Sequence, residues 1–263
     1  MSDASFADYD RPMPQSAGIN RVPEVTPGFW VIKLMAVTMG ETAADFLAVN
    51  LGLGLGATTV LMSAVLIATI VWQFRQRAYV PAYYWFAVVL ISVVGTLITD
   101  NMTDALGIPL ITSSIGFTLA LAATFAAWFA VERTLSIHEV FTFRREAFYW
   151  LAILFTFALG TAVGDLISEA FGVGFAGTGV LFGLIIASLA LGYFALGLDG
   201  MWAFWLCYIF TRPLGASFGD FLAQPAEFGG LGLGTIVTSF AFLAVIAATV
   251  LVMTTKVAPK LAE

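Results

Sequence analysis

Asp45, Asp100, Asp165 and Asp220 each stand fifteen residues after a tryptophan and five after a glycine. The pattern is W-x9-G-x4-D, carried by Trp30 and Gly40, Trp85 and Gly95, Trp150 and Gly160, and Trp205 and Gly215. Four of the chain's seven tryptophans meet it. Three of the aspartates have an acidic partner four residues away: Glu41 before Asp45, Asp104 after Asp100 and Glu169 after Asp165. In the fourth copy Gln224 follows Asp220. On a helix such pairs share a face, where like charges repel. Hydroxyls recur nearby in Thr42, Thr96, Thr99, Thr161 and Ser217. The donor set is oxygen-rich, since the chain has one histidine, His138, and one cysteine, Cys207. Oxygen donors suit protons or hard divalent cations such as Mn²⁺, Mg²⁺ or Ca²⁺, not Zn²⁺ or Cu⁺. A bound hard divalent cation on Asp45, Asp100, Asp165 and Asp220 is therefore the one cofactor these residues suggest.

These acids sit in an apolar chain. Of 263 residues, 60% are hydrophobic and 11% charged, with a mean hydropathy of +0.95, whereas soluble domains are about 25% charged. The composition predicts an integral membrane protein. A pI near 4.7 argues against nucleic acid as a partner, leaving the lipid bilayer and a small ion. Each acid placed in a bilayer costs roughly 2.5–3.5 kcal/mol, so four aspartates require compensation on the order of 10 kcal/mol. Protonation, a bound cation, pairing with a basic residue or a wet vestibule would supply it.

Runs long enough to cross about 30 Å of hydrocarbon fall at 28–50, 56–74, 83–105, 110–131, 147–169, 177–198, 202–224 and 235–254. Eight spans put both termini on one side. Arg11, Arg21, Arg75, Arg77, Arg133, Arg144, Arg145, Lys256 and Lys260 all fall on that side, which predicts cytoplasmic termini. The outer loops are short and Gly-rich ("NLGLGLG", "LGIP", "FGVGFAGTG", "EFGGLGLG"), so each span pair reads as a tight hairpin. The connection "ERTLSIHEVFTFRREAF" suggests a short interfacial helix.

The four motifs are offset by 55, 65 and 55 residues. Each copy contributes two spans, so all copies share one orientation and are parallel repeats. The chain divides into a polar, flexible tail without a cleaved leader (1–27) and repeats at 28–80, 81–145, 146–200 and 201–263. The expected fold is an all-α integral membrane protein, with eight transmembrane helices as four parallel tandem helical-hairpin repeats. Four tandem two-span repeats, each with a tryptophan, resemble a bacterial membrane family known as a repeat of unknown function, whose members are labelled uncharacterised membrane-anchored proteins. The resemblance spans nearly the whole chain. It implies a multi-pass protein of the bacterial inner membrane and no substrate.

The tryptophans read as interface anchors. Each aspartate lies about 22 Å further along its helix, in the outer third of the membrane. A structural role would have them cap helix ends, and a functional one would have them line an ion path. Asp104 and Glu169 lie near span ends, where solvation alone would account for them. Glu41 breaks the symmetry, because its equivalents are Thr96, Thr161 and Ala216. Lys33, one turn from the interface, is expected to snorkel. Arg212, mid-membrane and followed by Pro213, is expected to be the counter-ion to one or more acids. The function read from these residues is transport of a small cation, proton-coupled or a hard metal such as manganese. A non-transporting scaffold and an anion carrier centred on Arg212 are the alternatives. No Ser/His/Asp or Cys/His arrangement is present, so no enzyme is expected.

Overall fold

The computed structural model describes residues 20–257, which are helical with no strand among them. Eight long helices follow in order: α1 (Pro27–Asp45), α2 (Leu55–Phe74), α3 (Pro81–Asp100), α4 (Leu110–Glu132), α5 (Phe143–Asp165), α6 (Phe175–Leu196), α7 (Gly200–Ala223) and α8 (Thr235–Val257). Local chemistry starts them. Thr26, Thr142 and Asp199 accept from the first-turn N–H groups of α1, α5 and α7, and Pro27 and Pro81 open α1 and α3, where a missing N–H is harmless.

Six of the helices are long and apolar enough to cross a membrane, so this is a multi-pass membrane protein. The other two are α1, which carries Lys33, Glu41 and Asp45, and α7, which carries Arg212 and Asp220. Both are enclosed by neighbours. The odd helices form a four-membered ring in which α1 packs on α3, α3 on α5, α5 on α7 and α7 on α1.

The repeated glycines set the closeness of this ring. A Cβ on Gly40 would lie 2.0 Å from Ser92 Oγ, one on Gly95 2.9 Å from Phe157 Cβ, one on Gly160 2.2 Å from Arg212 Cγ, and one on Gly215 2.6 Å from Val37 Cγ1. Val37, Ser92, Phe157 and Arg212 each stand seven residues after their own tryptophan. Every ring helix thus drives the same position into the preceding helix's glycine, and the ring closes where Val37 of the first helix enters Gly215 of the last. Small residues allow such approach between membrane helices.

The even helices form an outer layer, and here the structure corrects the hairpin expectation. The main partner of α2 is α3, that of α4 is α5, that of α6 is α7, and α8 returns to α1. The cause lies at the far end of the ring helices. Immediately after Asp45, Asp100 and Asp165 the chain switches to π-helix, at Phe46–Asn50, Asn101–Ala105 and Leu166–Ala170. It then leaves through glycines at positive φ, Gly52, Gly107 and Gly172. This sidestep sets α2, α4 and α6 against the following ring helix instead of their own, whereas α7 stays α-helical to Ala223 and reaches α8 through a 3₁₀ turn at Ala226–Phe228.

Two further expectations change at the end where the described termini lie. The connection before α5 is a single 3₁₀ turn, Ile137–Glu139, not an interfacial helix, with Leu135, Ile137 and Val140 buried against the bundle. Residues 20–26 are part of the packed structure. Asn20 hydrogen-bonds Ile137 O and Val140 N at 3.0 and 3.1 Å, Val22 is buried, and Arg21 pairs with the buried Glu146 at 2.7 Å. The rest of the expected tail, and the orienting cations Arg11 and Lys260, fall outside the described residues.

Candidate functional site

The interior of the ring is a stack of layers four residues apart, about 6 Å per step. The first layer stands one residue before each tryptophan: Phe29, Tyr84, Tyr149 and Phe204, all buried. Each of these rings meets the next helix's indole, with centroids at 5.5 Å for Phe29 and Trp85, 5.4 Å for Tyr84 and Trp150, 6.2 Å for Tyr149 and Trp205, and 5.7 Å for Phe204 and Trp30. Trp85, Trp150 and Trp205 are therefore buried and are not lipid-interface anchors. Their indole N–H groups donate inside the protein, to Tyr79 Oη (3.1 Å), Glu146 Oε1 (3.4 Å) and Leu135 O (2.9 Å). The signal was available as the dipeptides FW, YW, YW and FW. Together the rings close that end of the axis.

The next layer holds Lys33, Val88, Ile153 and Tyr208, all at 0% exposure. Lys33 does not snorkel. Its Nζ donates to Tyr208 O at 2.6 Å and lies 4.2 Å from the centre of the Tyr208 ring. The aromatic layer below it blocks the route its stem would need to reach water.

Above lies Arg212, also at 0% exposure. Its stem fills the notch left by Gly160, and its head reaches the following layer, Glu41, Thr96 and Thr161. Nη1 pairs with Glu41 Oε2 at 2.9 Å and donates to Val37 O at 3.4 Å. Nη2 donates to Thr96 Oγ1 and to Thr161 Oγ1, and Nε donates to Phe157 O at 3.3 Å. A guanidinium has five N–H donors, and all are engaged. Thr96 Oγ1 in turn donates to Glu41 Oε2 at 3.0 Å. Among the described residues the acid paired with Arg212 is the symmetry-breaking Glu41. The fourth member of this layer, Ala216, sits on the arginine's own helix.

The last layer is the repeated aspartates. Asp220 is buried, and Asp45, Asp100 and Asp165 are half-buried. Asp100 feels the charges of Glu41, Asp165, Asp45 and Asp104. Asp165 feels those of Glu41, Glu169, Arg212 and Asp45, and Asp220 those of Glu41, Asp45, Asp165 and Glu169. The structure thus gathers all eight residues picked out by spacing: seven acids and one arginine. Asp104 and Glu169 are exposed, so exposure falls from them towards Glu41.

None of Asp45, Asp100 and Asp165 caps the π turn it precedes. Asp45 Oδ2 accepts from Gln224 Nε2 at 3.4 Å. The π turns themselves had no signal in the motif, although π turns frequently mark functional positions.

Among the described residues no group of three or more His, Cys, Asp or Glu side chains is gathered as a metal-binding set.

A family model described as Repeat of Unknown Function (DUF347) matches residues 28–79, 83–134, 148–197 and 203–256. No curated protein and no solved structure matches the chain.

Proposed function

The chain belongs to the family described as Repeat of Unknown Function (DUF347), and from that footing we propose that it carries a small cation, a proton or a hydrated hard ion such as Mn²⁺, along the axis of its ring. The observation that carries this reading is the cluster of Glu41, Asp45, Asp100, Asp104, Asp165, Glu169 and Asp220 within one another's electrostatic reach. A mouth lined by one sign of charge between apolar walls concentrates the opposite ion. With positive residues inside, the mouth faces outwards and the aromatic layer closes the cytoplasmic side of a bacterial inner membrane.

Two alternatives have less support. An anion carrier would need free donors on Arg212, whose five N–H groups are committed. A scaffold would use the aspartates as caps, and Asp45, Asp100 and Asp165 make no cap hydrogen bond to the turns they precede.

Asp100→Asn and Asp165→Asn separate the readings. In liposomes holding a Mn²⁺-quenched dye or a pH dye, each is expected to slow cation entry by about tenfold or more. Each is also expected to leave thermal stability equal to wild type or higher, because a repelling charge is gone. Unchanged fluxes together with a lower melting temperature would sink the carrier reading in favour of the scaffold.

A further inference from the structure

The end of the ring closed by the aromatic layer is crossed by a strap. Residues 20–26 lead into α1, and α1 stands opposite α5 in the ring, since each packs on both α3 and α7. The strap is nevertheless fastened on the α5 side. Arg21 Nη1 pairs with Glu146 Oε2 of α5 at 2.7 Å. Arg21 N donates to Val140 O at 3.0 Å, Asn20 Nδ2 donates to Ile137 O at 3.0 Å, and Asn20 Oδ1 accepts from Val140 N at 3.1 Å. The strap therefore runs from one wall of the ring to the opposite one. Five residue steps from Arg21 to Thr26 reach at most about 17 Å. Opposite helices of a four-membered ring with neighbours about 8–10 Å apart are separated by about 11–14 Å, so the strap crosses the end of the axis directly. Val22 and Pro23 in its middle are buried.

The fastening is joined to the aromatic layer by contact. Glu146 is completely buried. Its Oε1 accepts from Gln73 Nε2 of α2 at 3.2 Å and from Trp150 Nε1 at 3.4 Å. The Trp150 ring meets Tyr84 at 5.4 Å and Tyr149 at 5.3 Å between centroids.

Packing of the layer does not explain the carboxylate. The positions equivalent to Glu146 are Thr26, Pro81 and Met201, and the ring contacts to Trp30, Trp85 and Trp205 form without one. A permanent tie would not need a buried ion pair either, because well-packed apolar residues of similar volume often hold as well or better.

We propose that residues 20–26 are the inner gate of the axis, with Arg21 and Glu146 as its latch. This rests on the carrier reading and adds the opening step at the closed end. An ion leaving there has to pass the aromatic layer and then the strap. The Arg21 side chain is 18% exposed and that of Glu146 1%, so water can take over the guanidinium while Gln73 and Trp150 keep the carboxylate. The hinge is Thr26, whose hydroxyl accepts from Phe29 N at 3.2 Å and stays with α1. Release of Arg21 also loosens the carboxylate that holds Trp150, so strap and aromatic layer open together.

The test uses the full chain in liposomes holding a Mn²⁺-quenched dye or a pH dye. Asn20→Ala removes two hydrogen bonds of the strap and touches neither the acids nor the ring interior. Arg21→Gln combined with Glu146→Gln removes both charges of the latch at once and leaves no unpaired buried carboxylate. Each is expected to raise cation entry by about tenfold, the weight of one or two hydrogen bonds on an opening equilibrium. Asp100→Asn added to Asn20→Ala is expected to reverse the rise, because the ion still enters past the acids. A purely structural strap predicts a lower melting temperature with entry unchanged or reduced. That result in Asn20→Ala, or a rise that Asp100→Asn leaves in place, would overturn the gate, and cation entry by wild type would leave the carrier reading standing. Movement of neither ion by wild type would overturn both.

Discussion

Arg212→Gln should lower the stability of the bundle by about 3–5 kcal/mol. The substitution removes the only cation paired with Glu41 in the described structure. It also removes donors from Thr96, Thr161 and two carbonyls. The larger part of the loss is the charge left behind. Glu41 is buried and would keep only the Thr96 hydroxyl as donor. Glu41→Gln in the Arg212→Gln background should therefore recover part of the loss. Thermal melts in detergent of wild type, both single variants and the double variant give the coupling, expected at about 1–3 kcal/mol. A loss below about 1 kcal/mol for Arg212→Gln would mean that the pair behaves as a solvated one, and the layered axis would be wrong at its centre.

Adding one methyl group at the ring contacts should be nearly as damaging. Gly→Ala within a helix ordinarily gains about 1 kcal/mol. At Gly40 the new Cβ would meet Ser92 Oγ at 2.0 Å and Ser92 Cβ at 2.3 Å. At Gly160 it would meet Arg212 Cγ at 2.2 Å and Cβ at 2.5 Å. Neither neighbour can withdraw. Ser92 is held against Val37 O, and the arginine stem is fixed by its head. Overpacking of this kind costs about 1–3 kcal/mol, and the upper end is expected because the helices themselves must separate. Gly183→Ala in α6 is the control, since nothing lies within 4 Å of its Cβ position. Gly40→Ala and Gly160→Ala should melt well below wild type, and Gly183→Ala at or above it. Equal melting of all three would show that the ring is not packed through its glycines.

Much of the site was readable from spacing. The recurrence of Asp45, Asp100, Asp165 and Asp220 at a constant distance from Trp and Gly placed them at one level, and the i, i+4 rule brought in Asp104 and Glu169. Glu41 stood out as the one acid among Thr96, Thr161 and Ala216, and it holds the arginine. The environments of Lys33 and the tryptophans were not readable. Distance from the membrane edge takes each helix as if it faced lipid alone. Arg21, Glu146 and the turn at Ile137–Glu139 cover that end of the bundle, so groups expected at a wet boundary are enclosed.

By itself the sequence determined the helices, their number and the equivalence of the four copies. Those depend on apolar run length and on residue types repeated within one segment. Only the tertiary structure decided who meets whom. Gly40 could have received any small neighbour, and closure of the ring assigns it Ser92, with Phe157, Arg212 and Val37 following at the other three contacts. The same closure hands each outer helix to the next copy and turns one arginine out of four equivalent positions into the centre of the axis. A motif fixes what each helix presents, but the partner across the gap comes from packing all four together.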